Sequence, residues 1–302
     1  MGSNCNLNCS YCHKEIENDK QISETFLNYL KTFQGDIIFR GGEPTLYIND
    51  IKHIVNTAKN ATFGITTNGV NIENHIPFFT EHKFNVSVSY DGTNLRPFDP
   101  FTKKIFYPNI NVTSVMTKNC NIFDILKAFD EKSLITGNRL IFYPHIAHYT
   151  NEYNKQYAMD ETDYIINIEQ IKECMNLFIQ ERKNYNTTNY KLYGIYRFLN
   201  KHLENNFTFG ETVCANKFSK RVDVNGQQYN CLYIRDEKLN ENWLTTQQHL
   251  IRTKFPKCEK CSVYAMCGGG CVKSLYHDKE CNFYYKLFTW YKKFYNQNKE
   301  YL

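Results

Sequence analysis

Cysteine placement constrains this chain more than any other feature. Twelve cysteines occur among 302 residues, and ten of them fall in two groups: Cys5, Cys9 and Cys12 at the start, and seven beyond residue 213. Only Cys120 and Cys174 stand apart. Disulfide frameworks belong to exported proteins, and with Cys5 so near the first residue no signal peptide is expected before it. Grouped thiols in a reducing compartment hold metal instead, so the expected location is the cytoplasm.

The bulk numbers exclude several classes. Hydrophobic residues make up 42% of the chain, enough for a sizeable core. The net charge is +5, but no basic block of five or more occurs, so nucleic acid is not an expected partner. No apolar run approaches ~18 residues, so no membrane span is expected.

The first half of the chain alternates short β-rich runs with helical patterns. Asp36-Ile37-Ile38-Phe39-Arg40 reads as a strand ending at Gly41-Gly42, with a helix over about Ile48 to Lys59. Thr62 to Thr66 and Asn85 to Ser89 follow as strands, ending at Asn68-Gly69 and Asp91-Gly92. Asn111 to Thr117 is a fourth strand, Asn121 to Glu131 a helix, and Leu140 to Tyr143 a fifth strand. This spacing means parallel βα units, whose sites form at the C-terminal strand ends. Ile168, Ile171, Met175 and Phe178 mark an amphipathic helix, and an aromatic helix near Phe283 to Asn296 closes the chain as packing surface. Beyond residue 205 the chain is irregular and rich in cysteine and glycine, a region organised around metal.

Cys5, Cys9 and Cys12 form C-x3-C-x2-C. A compact loop can aim three thiolates at one [4Fe–4S] cube and leave one iron open. On spacing alone a zinc knuckle is an equal reading. The next strand end, Gly41-Gly42-Glu43-Pro44, adds two glycines that admit a ligand and a carboxylate that can accept from an ammonium group.

With Cys5, Cys9, Cys12, the aromatic Tyr11 and Gly41-Gly42-Glu43-Pro44 together, the sequence resembles the radical S-adenosylmethionine superfamily. The resemblance implies that the open iron chelates S-adenosylmethionine, that Gly41, Gly42 and Glu43 hold its amino group, and that Tyr11 lies by the adenine. It places Asn68, Ser89 and Asp91 where the family contacts ribose and carboxylate. The family carries a barrel strand before the cysteine loop. Here only Met1-Gly2-Ser3-Asn4 precede it, so a stub or a truncated first strand is expected.

The late cysteines run as C-x11-G-x4-C from Cys214 to Cys231, then C-x2-C-x5-C-x3-C from Cys258 to Cys271, then Cys281. A zinc ribbon explains C-x2-C alone but not seven thiolates. The pattern resembles the SPASM domain of radical S-adenosylmethionine enzymes that mature peptides and proteins. That resemblance assigns Cys258, Cys261, Cys267 and Cys281 to an outer cluster, and Cys214, Cys231 and Cys271 to an inner one. Some relatives carry an eighth cysteine where this chain has Thr208, which leaves an iron corner open. Cys174, on an apolar stripe, reads as a buried inert thiol. Cys120 reads as a loop cysteine or as a hydrogen-atom donor, and His145 and His148 as polar strand-end residues.

The expected architecture is α/β: a partial (β/α) barrel of parallel strands with bridging helices over residues 1–204, then a small iron–sulfur SPASM domain over 205–302. The resemblance implies three [4Fe–4S] clusters and a 5′-deoxyadenosyl radical that takes a hydrogen from a ribosomally made peptide, giving a crosslink, thioether or epimer. Its alternative is a dehydrogenase acting on a small molecule or on a protein side chain, as sulfatase-maturing relatives do. An iron–sulfur electron carrier has no use for Gly41-Gly42-Glu43 or an open iron. Expected partners are the peptide, an electron donor such as flavodoxin or ferredoxin, and a separate leader-peptide-binding protein, since no extra N-terminal leader-binding domain is expected.

Overall fold

The computed structural model describes the chain apart from residues 1, 3, 13–20, 94, 106, 108–109, 151, 186–189, 215, 217–220, 232–233, 239–241 and 272–273, and apart from the side chains of 153, 221, 230–231 and 234–238. Two compact units form. The first comprises residues 1–116, 123–145 and 223–226; the second comprises 117–122, 146–222 and 227–302.

The first unit runs α1 (Glu24–Thr32), β1 (Gly35–Phe39), α2 (Ile48–Thr57), β2 (Ala61–Thr67), α3 (Ile76–Glu81), β3 (Asn85–Ser89), β4 (Ile110–Thr113) and α4 (Ile122–Thr136). Its sheet is parallel and in sequence order, β1-β2-β3-β4, with Phe39 opposite Ile65, Thr67 opposite Val88 and Ser89 opposite Thr113. Successive parallel strands in one direction bring their C-terminal turns to one edge. Gly41–Glu43, Asn68–Gly69 and Asp91–Gly92 therefore share that edge, as the strand-end reading required.

Packing explains why these runs become strands. Val86 and Val88 are buried while Asn85 is exposed, the period of two that a half-buried strand needs. Phe39, Phe63 and Phe84 stack with ring centroids 5.6–6.4 Å apart, and Phe79 tilts onto Phe84 at 5.1 Å. Each such side chain contributes ~1.5–3 kcal/mol by burial. Ile51, Ile54 and Val55 turn one face of α2 inward.

The fifth strand expected over Leu140 to Tyr143 is not a ladder strand. The Tyr143 carbonyl accepts from the Ser114 hydroxyl at 2.7 Å, and the His145 carbonyl from the Met116 N–H at 2.6 Å. A hydroxyl takes the place of a backbone donor, so the ladder does not propagate. β4 is likewise shorter than the run read as Asn111 to Thr117.

The second unit holds α5 (Glu161–Tyr185), α6 (Tyr190–Glu204), a small antiparallel sheet of β5 (Arg221–Val222), β6 (Gln228–Cys231) and β7 (Ile234–Lys238), then α7 (Trp243–Lys254), α8 (Tyr264–Cys267) and α9 (His277–Asn298). Its core is the meeting of α5 (Ile168, Ile171, Met175, Phe178), α6 (Ile195, Leu199) and α9 (Phe283, Leu287, Phe288, Tyr291), all buried. The aromatic stripe of the last helix is packing surface. The bridging helices α5 and α6 thus pack with the cysteine-rich region, so the units do not divide at residue 204. The apolar faces of α5 and α6 find their complement in α9. Among the described residues no helix is long and apolar enough to cross a membrane.

Candidate functional site

The N-terminal cysteine loop is tied to the strand-end edge of the first unit by backbone bonds. Gly42 N–H donates to Gly2 C=O at 3.2 Å and Glu43 N–H to Asn4 C=O at 2.8 Å, so Gly2 and Asn4 lie against the turn after β1. Within the loop, Cys12 N–H donates to Cys9 C=O at 3.0 Å. All three thiols are partly exposed. Burial pushes the Cys9 thiol up, Arg96 pulls it down, and Cys12 and Cys5 push it up further, which marks the three sulfurs as near neighbours.

Glu43 is fully buried. Its Oε1 accepts from Thr45 N–H at 3.0 Å, Thr45 Oγ1 at 2.7 Å and Thr67 Oγ1 at 2.7 Å, and its Oε2 from Asn68 N–H at 2.7 Å. This carboxylate therefore clasps the end of β1 to the end of β2. Asn68 extends the clasp: its Nδ2 donates to Asn6 Oδ1 at 2.7 Å and to Cys5 Sγ at 3.8 Å, while its Oδ1 accepts from Val70 N–H at 2.9 Å. Gly69, two residues past β2, takes φ +81°, where an added Cβ would lie 2.7 Å from Pro100. Ser89 ends β3 and is partly exposed.

Asp91 is also buried, at 1% exposure. Its Oδ2 accepts from the Tyr11 hydroxyl and, at 2.7 Å, from Arg96 Nε; its Oδ1 accepts from Val115 N–H at 2.8 Å. Burial and then the Asp91 charge push the Tyr11 phenol far up, so it stays a protonated donor. Arg96 sits over the Tyr11 ring, 5.7 Å from its centroid, and its Nη1 lies 3.8 Å from Cys9 Sγ. Sequence reasoning missed Arg96. The only signal was a lone cation five residues after Asp91.

In the second unit Cys258, Cys261, Cys267 and Cys281 line one cavity, together with Tyr264, His277 and Tyr284. Burial first, and then the other three thiols, push Cys258 up to about 12. Cys267 is also raised to about 12, chiefly by burial. The loop from Cys267 to Cys271 contains Gly268, Gly269 and Gly270 at φ +62°, +75° and +70°. Three successive left-handed residues are feasible only for glycine, and they fold the chain back toward the cavity.

The remaining sequence-derived candidates are scattered. Cys214 is exposed, Cys271 is partly buried, and the Cys231 side chain lies outside the described residues. Thr208 N–H and Oγ1 both donate to the buried Glu211 carboxylate, at 2.9 and 3.0 Å. Cys174 is fully buried in α5, and burial raises its thiol to about 12. Cys120 faces Asn167 Oδ1 at 3.5 Å, with its thiol raised to about 11 by burial. His148 pairs with buried Glu280 at 2.8 Å, and His145 belongs to the other unit. Among the described residues no three His, Cys, Asp or Glu side chains converge tightly enough for a single metal ion.

No protein-family model matches the chain. A cysteine-type anaerobic sulfatase-maturating enzyme of Clostridium novyi is 36% identical over 30% of this chain and 30% of its own length. That stretch is under a third of the relative. The enzyme of the same description from Clostridium perfringens is 23% identical over 89% of this chain and 86% of its own length. The solved structure of native anSMEcpe with bound AdoMet and Cp18Cys peptide superposes with a TM-score of 0.67 at 21% identity, covering 99% of this chain and 97% of that one. The chain is similar in sequence to anaerobic sulfatase-maturating enzymes. It shares the fold of that solved structure, with a partial barrel of parallel strands and a cysteine-rich region.

The residues present fit the AdoMet of that neighbour and an iron–sulfur cluster. Three neighbouring thiols on one loop are a donor set for a cube with an open corner. Thr93 Oγ1, two residues past Asp91, is a buried hydroxyl without a hydrogen-bond partner, consistent with a polar ligand at that edge. Four thiols around one cavity suit a cube better than a single ion, because a cube spaces its ligands farther apart.

Proposed function

We propose that this chain is a radical S-adenosylmethionine enzyme that oxidises a side chain within a peptide or protein, a reading supported by its similarity to enzymes named as cysteine-type and sulfatase-maturating. The observation that carries the reading is the docking of the three-thiol loop onto a strand-end edge held by two buried carboxylates, Glu43 and Asp91. When bound, S-adenosylmethionine and a [4Fe–4S] cluster on Cys5, Cys9 and Cys12 supply one-electron hydrogen-atom abstraction. The chain's own residues orient. Glu43 fixes the Gly41–Gly42 turn against Asn68, leaving backbone groups at the edge for the cofactor's polar end. Asp91 holds Tyr11, inside the same loop, as a protonated donor.

The second unit, in this reading, holds the outer cluster on Cys258, Cys261, Cys267 and Cys281 and the inner one on Cys214, Cys231 and Cys271. Clusters held by these cysteines would supply an acceptor for the electron released when the substrate is oxidised. A flavodoxin or ferredoxin supplies the initiating electron. Similarity to sulfatase-maturating enzymes supports side-chain oxidation ahead of a crosslink, thioether or epimer.

The test uses anaerobically reconstituted protein, S-adenosylmethionine, a chemical reductant and a cysteine-containing peptide deuterated at Cβ. Deuterium is expected in the 5′-deoxyadenosine released. The triple variant C5A/C9A/C12A should release none while keeping the iron of the C-terminal cysteines, since each group supplies its own ligands. Wild-type protein that binds iron but never cleaves S-adenosylmethionine refutes the proposal and leaves an electron carrier.

A further inference from the structure

We propose that Arg96 sets the reduction potential of the cluster on Cys5, Cys9 and Cys12 by donating a charge-assisted N–H···S bond to Cys9. The inference rests on the reading of that loop given above. Arg96 Nη1 is 3.8 Å from Cys9 Sγ, and the guanidinium is fixed from two other directions. Its Nε donates to Asp91 Oδ2 at 2.7 Å, and its plane lies over the Tyr11 ring at 5.7 Å. Asp91 is itself anchored by Val115 N–H and the Tyr11 hydroxyl. The Arg96 side chain is 13% exposed and that of Asp91 1%, so water screens neither charge well. A flexible surface arginine would swing away; this one is held against the thiol.

Reduction adds one negative charge to a cube and its thiolates. A cation and an N–H donor on a ligand sulfur stabilise the reduced form more than the oxidised one, which raises the potential. Asp91 works in the opposite sense, but in the wild-type chain Arg96 and the Tyr11 hydroxyl neutralise it. Removing the Arg96 charge deletes the donor and also exposes Cys9 to an uncompensated Asp91. Both changes point the same way.

Arg96 is thus a positioning residue whose effect is read in a potential, which a purely structural role would not move. The experiment is an electron paramagnetic resonance-monitored redox titration of the reconstituted holoenzyme, following the signal that S-adenosylmethionine perturbs. R96Q should shift that midpoint to a more negative potential. R96K, which keeps a charge but loses the fork, should shift it less. An R96Q protein with full iron, an intact response to S-adenosylmethionine and an unchanged or more positive midpoint overturns the proposal. Should R96Q fail to hold the cluster, R96K decides, and a midpoint equal to or above wild type overturns it. If no wild-type signal responds to S-adenosylmethionine, the function proposed above fails, and this inference falls with it.

Discussion

Glu43→Gln should loosen the strand-end edge of the first unit even before any cofactor binds. The carboxylate accepts four hydrogen bonds while fully buried, three on Oε1 and one on Oε2. The glutamine amide can present only one acceptor oxygen. With that oxygen at the Oε1 position, its NH2 faces the Asn68 N–H, donor against donor. The variant loses one charge-assisted bond worth ~1.5–3 kcal/mol and leaves a buried N–H unsatisfied at ~1–3 kcal/mol. The three surviving bonds lose their charge assistance. The sum is about 3–6 kcal/mol, large against a domain's usual ~5–15 kcal/mol. At ~1.4 kcal/mol per decade this means a roughly 10²- to 10⁴-fold loss of protection in native-state hydrogen exchange of peptides covering β1 and β2. The measurement is made on cluster-free protein, so cofactor loss cannot mimic the result. A change of less than tenfold would show that Glu43 is not the clasp its geometry describes.

Two further outcomes are expected. Gly268→Ala puts a Cβ 2.9 Å from the Phe207 ring and 3.1 Å from Val213 N at φ +62°, so the Cys267–Cys271 loop should misfold and iron analysis should fall by about one four-iron cube per chain; full iron would sink the loop argument. Cys174→Ala should leave iron unchanged, because the thiol is fully buried on the α5 core face. Burial raises the folded Cys174 thiol to about 12 from 9.0, so the folded state holds its proton where the unfolded state releases it. That contribution is complete below pH ~9 and is lost as pH climbs toward 12. Thermal melts of the cluster-free variant should therefore fall less steeply above pH 9 than wild type, and parallel curves would count against it.

The grouping of the cysteines was legible in the linear chain. Cysteine spacing is a local property: Cys5, Cys9 and Cys12 share a loop whatever packs around them, and Cys258, Cys261 and Cys267 are too close in sequence to separate far. The βα rhythm was equally visible because alternation and glycine-bounded runs act over a few residues. The misses came where the decision was not local. The Leu140–Tyr143 run has strand composition, yet the Ser114 hydroxyl takes the Tyr143 carbonyl that a ladder needs. Arg96 carries no motif and becomes a neighbour of Cys9 only because the turn after β3 folds back onto the N-terminal loop.

The sequence by itself determined which groups are available: three thiols before the first helix, a glycine-glycine-glutamate turn, four late thiols bracketing three glycines. Those follow from residue identity and short-range spacing. Tertiary structure decided what the groups do. It turned Glu43 from a free acceptor into a buried clasp between two strands, joined Tyr11, Asp91 and Arg96 across eighty-odd positions, and gave α5 and α6 to the cysteine-rich unit. The physical reason is that a parallel sheet collects distant strand ends at one edge. Hydrogen bonds made there depend on which buried donor meets which buried acceptor, a pairing that no local sequence pattern encodes.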